Sequence, residues 1–142
     1  MANTFNLVKD VYPYVLKSVS EEIGTPLYKL KIEIGDIGYN KLFDGVSKDK
    51  KTVLSISTSS GYSKTGKVPV GKINKVYLYC YMMNLTKADR KIIAFTNEEF
   101  HKIISKEKEK GLMPGIELLY IELTDELKQV VDVVSRAASD EM

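Results

Sequence analysis

The strongest constraint on the fold is the way the apolar period changes along the chain. Val8, Val11, Tyr12, Val15, Leu16, Val19 and Ile23 recur every three or four positions, the spacing of one helix face, and Gly24 and Pro26 end the run. Pro13 falls inside it and predicts a kink or a late start. Leu30, Ile32 and Ile34 then alternate with Lys31 and Glu33, the two-residue period of a strand with one buried face. The turn-rich Gly35-Asp36-Ile37-Gly38 leads to a second strand over Leu42 to Ser47. Ser47-Lys48-Asp49-Lys50 reads as the tip of a hairpin into a third strand, Thr52 to Thr58, which is β-branched and mostly apolar. A Ser-, Gly- and Lys-rich stretch, Ser59 to Gly71, reads as a mobile loop.

Helical spacing returns with Ile73, Val76, Tyr77, Cys80 and Met83, and strand character with Lys91 to Phe95. Thr96-Asn97-Glu98-Glu99 has the form of a capping box ahead of Phe100, Ile103 and Ile104 on a third helix. Ile116 to Leu123 predicts another strand, and Thr124 caps a last helix carrying Leu127, Val130, Val131 and Val134. One helix, three strands and then alternating helices and strands call for a mixed β-sheet flanked by helices. The 142 residues, 44% of them apolar, suffice for one core, so the expectation is a single α/β domain over residues 1–142.

Several chemistries are excluded or narrowed by counting. Cys80 is the one cysteine, so no intramolecular disulfide forms, and with His101 as the one histidine the usual Cys/His zinc cages are ruled out. A Ser-His-Asp or Cys-His apparatus would hang on His101, to which no nucleophile is tied by spacing. His101 therefore reads as a partly exposed helix residue and Cys80 as an inert buried thiol. No apolar run approaches the roughly 20 residues that span a bilayer. The opening MANTFNLVKD has neither a basic segment nor an apolar core of a secretory signal, which predicts a cytoplasmic protein with no membrane partner.

The net charge of +2 conceals an asymmetry. No acid lies between Asp49 and Asp89, while Lys50, Lys51, Lys64, Lys67, Lys72, Lys75 and Lys87 give the segment 50–88 a charge of +7 and leave −5 for the rest. A concentrated basic stretch suits an anionic partner such as a nucleic-acid backbone; the plainer reading is a solvated surface. Gly61-Tyr62-Ser63-Lys64-Thr65-Gly66-Lys67 matches seven positions of a phosphate-binding loop but continues with Val68 and Pro69, where a Ser or Thr should hold magnesium. It reads as a lysine-bearing loop. The tyrosines around Tyr77, Tyr79 and Tyr81 suit core and interface better than base stacking, and they offer a homodimer as an alternative partner.

One constellation remains. Ser55 and Ser57 are two apart in a strand and share a face, and the hairpin brings Asp44 alongside them. Helix, three strands ending in a hairpin, helix and strand resembles the core of the restriction-endonuclease-like superfamily, the PD-(D/E)xK nucleases, over roughly residues 5 to 96. Leu42-Phe43-Asp44-Gly45 looks like that superfamily's Asp strand and Val53-Leu54-Ser55-Ile56-Ser57 like its (Glu)-x-Lys strand. The resemblance implies an αβββαβ core with a C-terminal αβα extension, and a catalytic site at Asp44, Ser55 and Ser57. In such nucleases two carboxylates hold magnesium and a lysine helps polarise the attacking water.

Here serine stands at the acidic and the lysine positions, so magnesium at Asp44 is expected to bind weakly if at all, and no cofactor is expected otherwise. Glu21, Glu22 and Glu33 are candidate substitute carboxylates. The loop and helix after the (Glu)-x-Lys strand border the substrate groove in this superfamily, which implies nucleic-acid contacts from Lys64, Lys67, Lys72 and Lys75. The expected function is a non-catalytic nucleic-acid-binding or accessory protein. The alternatives are a metal-dependent DNA nuclease with relocated residues and a homo-oligomeric interaction module.

Overall fold

The computed structural model describes residues 6–62 and 65–140. Leu7–Val11 forms a π-helical turn that runs directly into helix α1, Tyr12–Ile23. Pro13 sits in the first turn of α1 directly after the π-helical turn, so the helical run does not start late at the proline but changes there from π to α geometry. Gly24, in the left-handed region at φ 71°, closes the helix. The strands are β1 (Tyr28–Ile34), β2 (Tyr39–Val46), β3 (Thr52–Ser57), β4 (Arg90–Phe95) and β5 (Ile116–Tyr120). Helices α2 (Val70–Asn84), α3 (Glu98–Lys108) and α4 (Asp125–Asp140) complete the chain.

The five strands lie in chain order in one sheet. β1, β2 and β3 pair antiparallel through short turns, whereas β3, β4 and β5 are parallel and joined through α2 and α3. The hairpin tip between β2 and β3 is tied by its own side chains. Ser47 Oγ donates to Asp49 at 2.6 Å and accepts from the Thr52 amide at 3.0 Å. The Lys51 amide also reaches Asp49, and together with Ser47 it holds that carboxyl below its ordinary range.

Two apolar layers sandwich the sheet. Val53, Ile93 and Phe95 face Ile73, Val76, Cys80 and Met83 of α2 and Phe100 and Ile104 of α3. Leu54, Ile56, Ile92 and Ala94 face Val15 and Val19 of α1, with Leu127, Val130, Val131 and Val134 of α4 at the margin. β3 is buried at every position because helices cover both of its faces.

Some boundaries differ from those the sequence predicts. α2 begins at Val70 rather than near Ile73, immediately after Pro69, and β5 stops at Tyr120 because the chain leaves the sheet toward α4. Asn97, not Thr96, caps α3: its side chain accepts the Phe100 amide at 2.8 Å, while Thr96 is buried and donates its backbone N–H to Ser57. Thr124 does cap α4, accepting the Leu127 amide at 3.3 Å.

Candidate functional site

The functional site begins with an irregularity in β2. Tyr28 pairs with Val46 and Leu30 with Phe43, so the single residue Lys29 faces both Asp44 and Gly45: β2 carries a bulge there. On its other side β2 pairs with β3 only at Gly45↔Leu54 and Val46↔Val53. Ser47 and Thr52 form a hydrogen-bonded pair, and such pairs recur every second residue of an antiparallel ladder, which makes Phe43↔Ile56 another. The Ile56 amide instead donates to Asp44 Oδ2 at 2.8 Å. A side-chain carboxylate has replaced a main-chain carbonyl, and the two strands part.

Gly45 permits the neighbouring packing. A Cβ there would lie 2.8 Å from Leu16 Cδ1, 3.1 Å from Leu54 Cδ2 and 3.2 Å from Leu27 Cβ, so a side chain would force these leucines to repack beside the site.

A cavity of about 160 Å³ opens where the strands part. Asp44, Lys41 and Ser55 line it, together with Tyr12 from α1 and Tyr79 from α2, so it draws on both helical layers. Asp44 is half-buried, and that burial raises its carboxyl above the usual value of 3.8 against the pull of the Ile56 amide and of Lys29, Lys41 and Lys75. The Tyr12 hydroxyl is likewise raised, by burial first and by the Asp44 charge second, and a hydrogen bond with the Thr58 side chain partly offsets this. The result is one carboxylate that shares the cavity with Lys41 of β2 and feels the charges of Lys29 on β1 and Lys75 on α2.

The sequence-predicted residues divide on this geometry. Asp44 and Ser55 share the cavity, whereas Ser57 lies beyond it and accepts the Ser59 amide at 3.4 Å. The site lies inside the sheet, because Ser55 belongs to β3, the central strand of five. Lys75 acts on Asp44 and lies over the Tyr79 ring at 5.9 Å. Lys72 does not extend into the cleft: its Nζ donates to the backbone oxygen and the hydroxyl of Ser60, at 3.2 and 2.9 Å. Lys67 is exposed on the loop, and Lys64 lies outside the described residues.

The loop expected to be mobile is fastened at its start by Lys72 and again by Glu99, which accepts the Tyr62 amide at 2.7 Å. Gly61 is needed there, since a Cβ would fall 2.1 Å from Glu99 Oε1. Lys29 and Lys41 escaped the sequence reading, which followed the acid-free stretch. The signal that could have found them was Gly45 directly after Asp44, a mark of a bulge or a close approach.

The substitute carboxylates do not reach the site. Glu21 is nine residues beyond Tyr12 on α1, about 14 Å along the axis at 1.5 Å per residue. Glu33 lies opposite Asn40, four residues from Asp44 and roughly 13 Å along the strand. Among the described residues no group of three or more His, Cys, Asp or Glu comes together to hold a metal.

The other singled-out groups have structural roles. Cys80 is buried and its thiol is pushed up to about 11. His101 packs its ring between Phe95 and Tyr120. The Tyr77 hydroxyl donates to Glu107 at 2.6 Å, which lifts it to about 12. Among the described residues no helix is long and apolar enough to cross a membrane.

Two Asp44 variants separate charge from hydrogen bonding. Asp44→Ala strands the buried Ile56 amide and is expected to cost about 1–3 kcal/mol of stability. Asp44→Asn keeps an acceptor and removes the charge that burial disfavours. The folded-state carboxyl titrates above its unfolded value of 3.8, so the folded chain takes up the proton first as pH falls. The Asp44 charge therefore penalises folding most above the raised value, and the penalty fades as pH drops through it. Urea melts should show the advantage of Asp44→Asn over wild type at pH 7 shrinking toward pH 4. An advantage that grows in acid would contradict the assignment.

No family model matches the chain, and no curated protein or solved structure is significantly similar to it.

Proposed function

We propose that the chain is a non-catalytic nucleic-acid-binding or accessory module built on a restriction-endonuclease-like core, whose cleft at Asp44 receives backbone phosphates. The observation that carries this is the cavity that Asp44 and Lys41 line together, at whose half-buried carboxylate the charges of Lys29 and Lys75 are also felt. Three positive charges against one negative leave the cleft attractive to an anion. Supporting the nuclease-like core, a helix precedes three antiparallel strands, and a helix then leads to a fourth strand parallel to the third, all neighbours in chain order. Asp44 stands on the second strand, the one the resemblance gives to the catalytic aspartate, beside Ser55 of the third.

The donor set falls short of a magnesium site. Asp44 supplies one carboxylate, one oxygen of which already accepts an amide, and Ser55 supplies a neutral hydroxyl. Binding is expected to be independent of sequence. Arg90, which could read guanine with two hydrogen bonds, is instead held by Glu117 at 2.8 and 2.9 Å. Arg136 has its side chain outside the described part.

Fluorescence anisotropy on labelled duplex and single-stranded DNA, across a salt series with and without magnesium, tests the proposal. The expected result is binding that is steep in salt, indifferent to magnesium and unaccompanied by cleavage. Absence of binding at about 50 mM salt, where electrostatic association is strong, would overturn it. Magnesium-dependent cleavage would favour the nuclease alternative.

A further inference from the structure

β1 ends the sheet, with β2 as its one strand neighbour. Among the described residues no strand pairs with its outer edge, so alternate residues of its seven direct main-chain donors and acceptors outward. Tyr28 and Leu30 are 45% and 40% exposed, although Ile32 and Ile34, on the same face, are buried. On the opposite face Lys29, Lys31 and Glu33 are all exposed. A lone lysine on an edge strand discourages addition of another strand, but an acid two residues away changes what the edge accepts.

We infer that the β1 edge docks a second copy of this chain, antiparallel and in the register that sets Ile32 opposite Ile32. Charge complementarity selects both the occupant and the register. Residues directly opposite in an antiparallel pair share a face, so the two-fold axis must lie midway between the two copies of one residue, which then faces itself. With the axis at Ile32, Lys31 of each copy faces Glu33 of the other, and both ion pairs are satisfied. Leu30 faces Ile34, which extends the apolar surface across the joint, and Lys29 faces Gly35, leaving its side chain free for the Asp44 cleft. Moving the axis to Lys31 sets Lys31 against Lys31, moving it to Leu30 sets Lys29 against Lys31, and moving it to Glu33 sets Glu33 against Glu33. Of the registers centred on Leu30, Lys31, Ile32 and Glu33 only that at Ile32 has no like-charge pair, and those centred on Tyr28 or Ile34 form no Lys–Glu pair at all. The dimer would carry one continuous ten-stranded sheet with both clefts intact, and it does not depend on nucleic-acid binding.

Sedimentation equilibrium of the full chain without DNA, followed for three variants, tests this. Lys31→Glu turns two attractive cross-strand pairs into two repulsive ones and should raise the dimer dissociation constant about tenfold or more. Lys31→Glu combined with Glu33→Lys restores opposite charges and should return it to near the wild-type value. Both positions are exposed, so neither variant threatens the fold, and circular dichroism checks that it is retained. A wild-type chain that stays monomeric at roughly 1 mM, where even weak association registers, overturns the proposal. So does a dimer indifferent to Lys31→Glu, or one abolished instead by Tyr81→Lys on the exposed side of α2.

Discussion

Replacing Lys29, Lys41 and Lys75 together with glutamine is expected to weaken nucleic-acid binding at about 50 mM salt on the order of a thousandfold, equally for unrelated sequences. Each lysine that neutralises a phosphate releases condensed counterions, and each lost contact takes about 0.9 from the log-log salt slope on duplex DNA. Three contacts therefore flatten the slope by about 2.7, and the wild-type advantage should shrink roughly fortyfold between 50 and 200 mM salt. Lys72→Gln is the comparison that gives the result meaning. Lys72 has a comparable place on the basic helix, but its ammonium is engaged by Ser60, so its loss should perturb the loop and leave the slope nearly unchanged. Asp44→Asn should act in the opposite direction, tightening binding by removing the one negative charge in the cleft. A triple variant that keeps the wild-type slope would place the phosphate contacts elsewhere on the molecule.

The elements were legible because each is dominated by one period. Ile32 and Ile34 of the alternating strand and the helical repeat through Val15 and Val19 correspond to buried faces in the structure, whereas Leu30, on the same strand face, is left exposed at the sheet's edge. Asp44 was legible as a candidate because the hairpin fixes its approximate level beside Ser55. Its environment was not. The bulge opposite Lys29 depends on how β1 and β2 register against each other, and local sequence does not encode where one extra residue is absorbed. The acid-free segment drew attention to charge concentrated along the chain, whereas the cleft assembles charge across three elements, taking Lys75 from that segment and Lys29 and Lys41 from outside it. The cap on α3 was misplaced by one residue for a related reason. Thr96 and Asn97 both suit a cap, and the choice is made by β4, which keeps Thr96 in the sheet through the Ser57 carbonyl. Glu99, thereby freed from a capping box, is the group that reaches the loop.

The fold's largest single dependence is expected at Phe100, which follows that cap. Its ring is fully buried and meets Phe95 edge-on, with centroids 5.7 Å apart and planes at 69°. Removing it empties the layer between α3 and the parallel half of the sheet, where Ile104, Met113 and Ile116 also pack. Phe100→Ala should cost about 3–5 kcal/mol, a large fraction of the 5–15 kcal/mol that typically separates folded from unfolded domains. A urea titration should show the midpoint falling with an unchanged slope, and Phe100→Leu, which keeps most of the volume, should recover the greater part of the loss. Asn97→Ala removes only the hydrogen bond to the Phe100 amide and should cost about 0.5–2 kcal/mol, so packing rather than capping seats α3. The consequence reaches the cleft, because Glu99 sits one residue before Phe100 and holds the loop after β3. In Phe100→Ala, proteolysis at the exposed Tyr62 should accelerate before the sheet itself unfolds; cleavage that follows global unfolding in step would mean the loop is not held through α3.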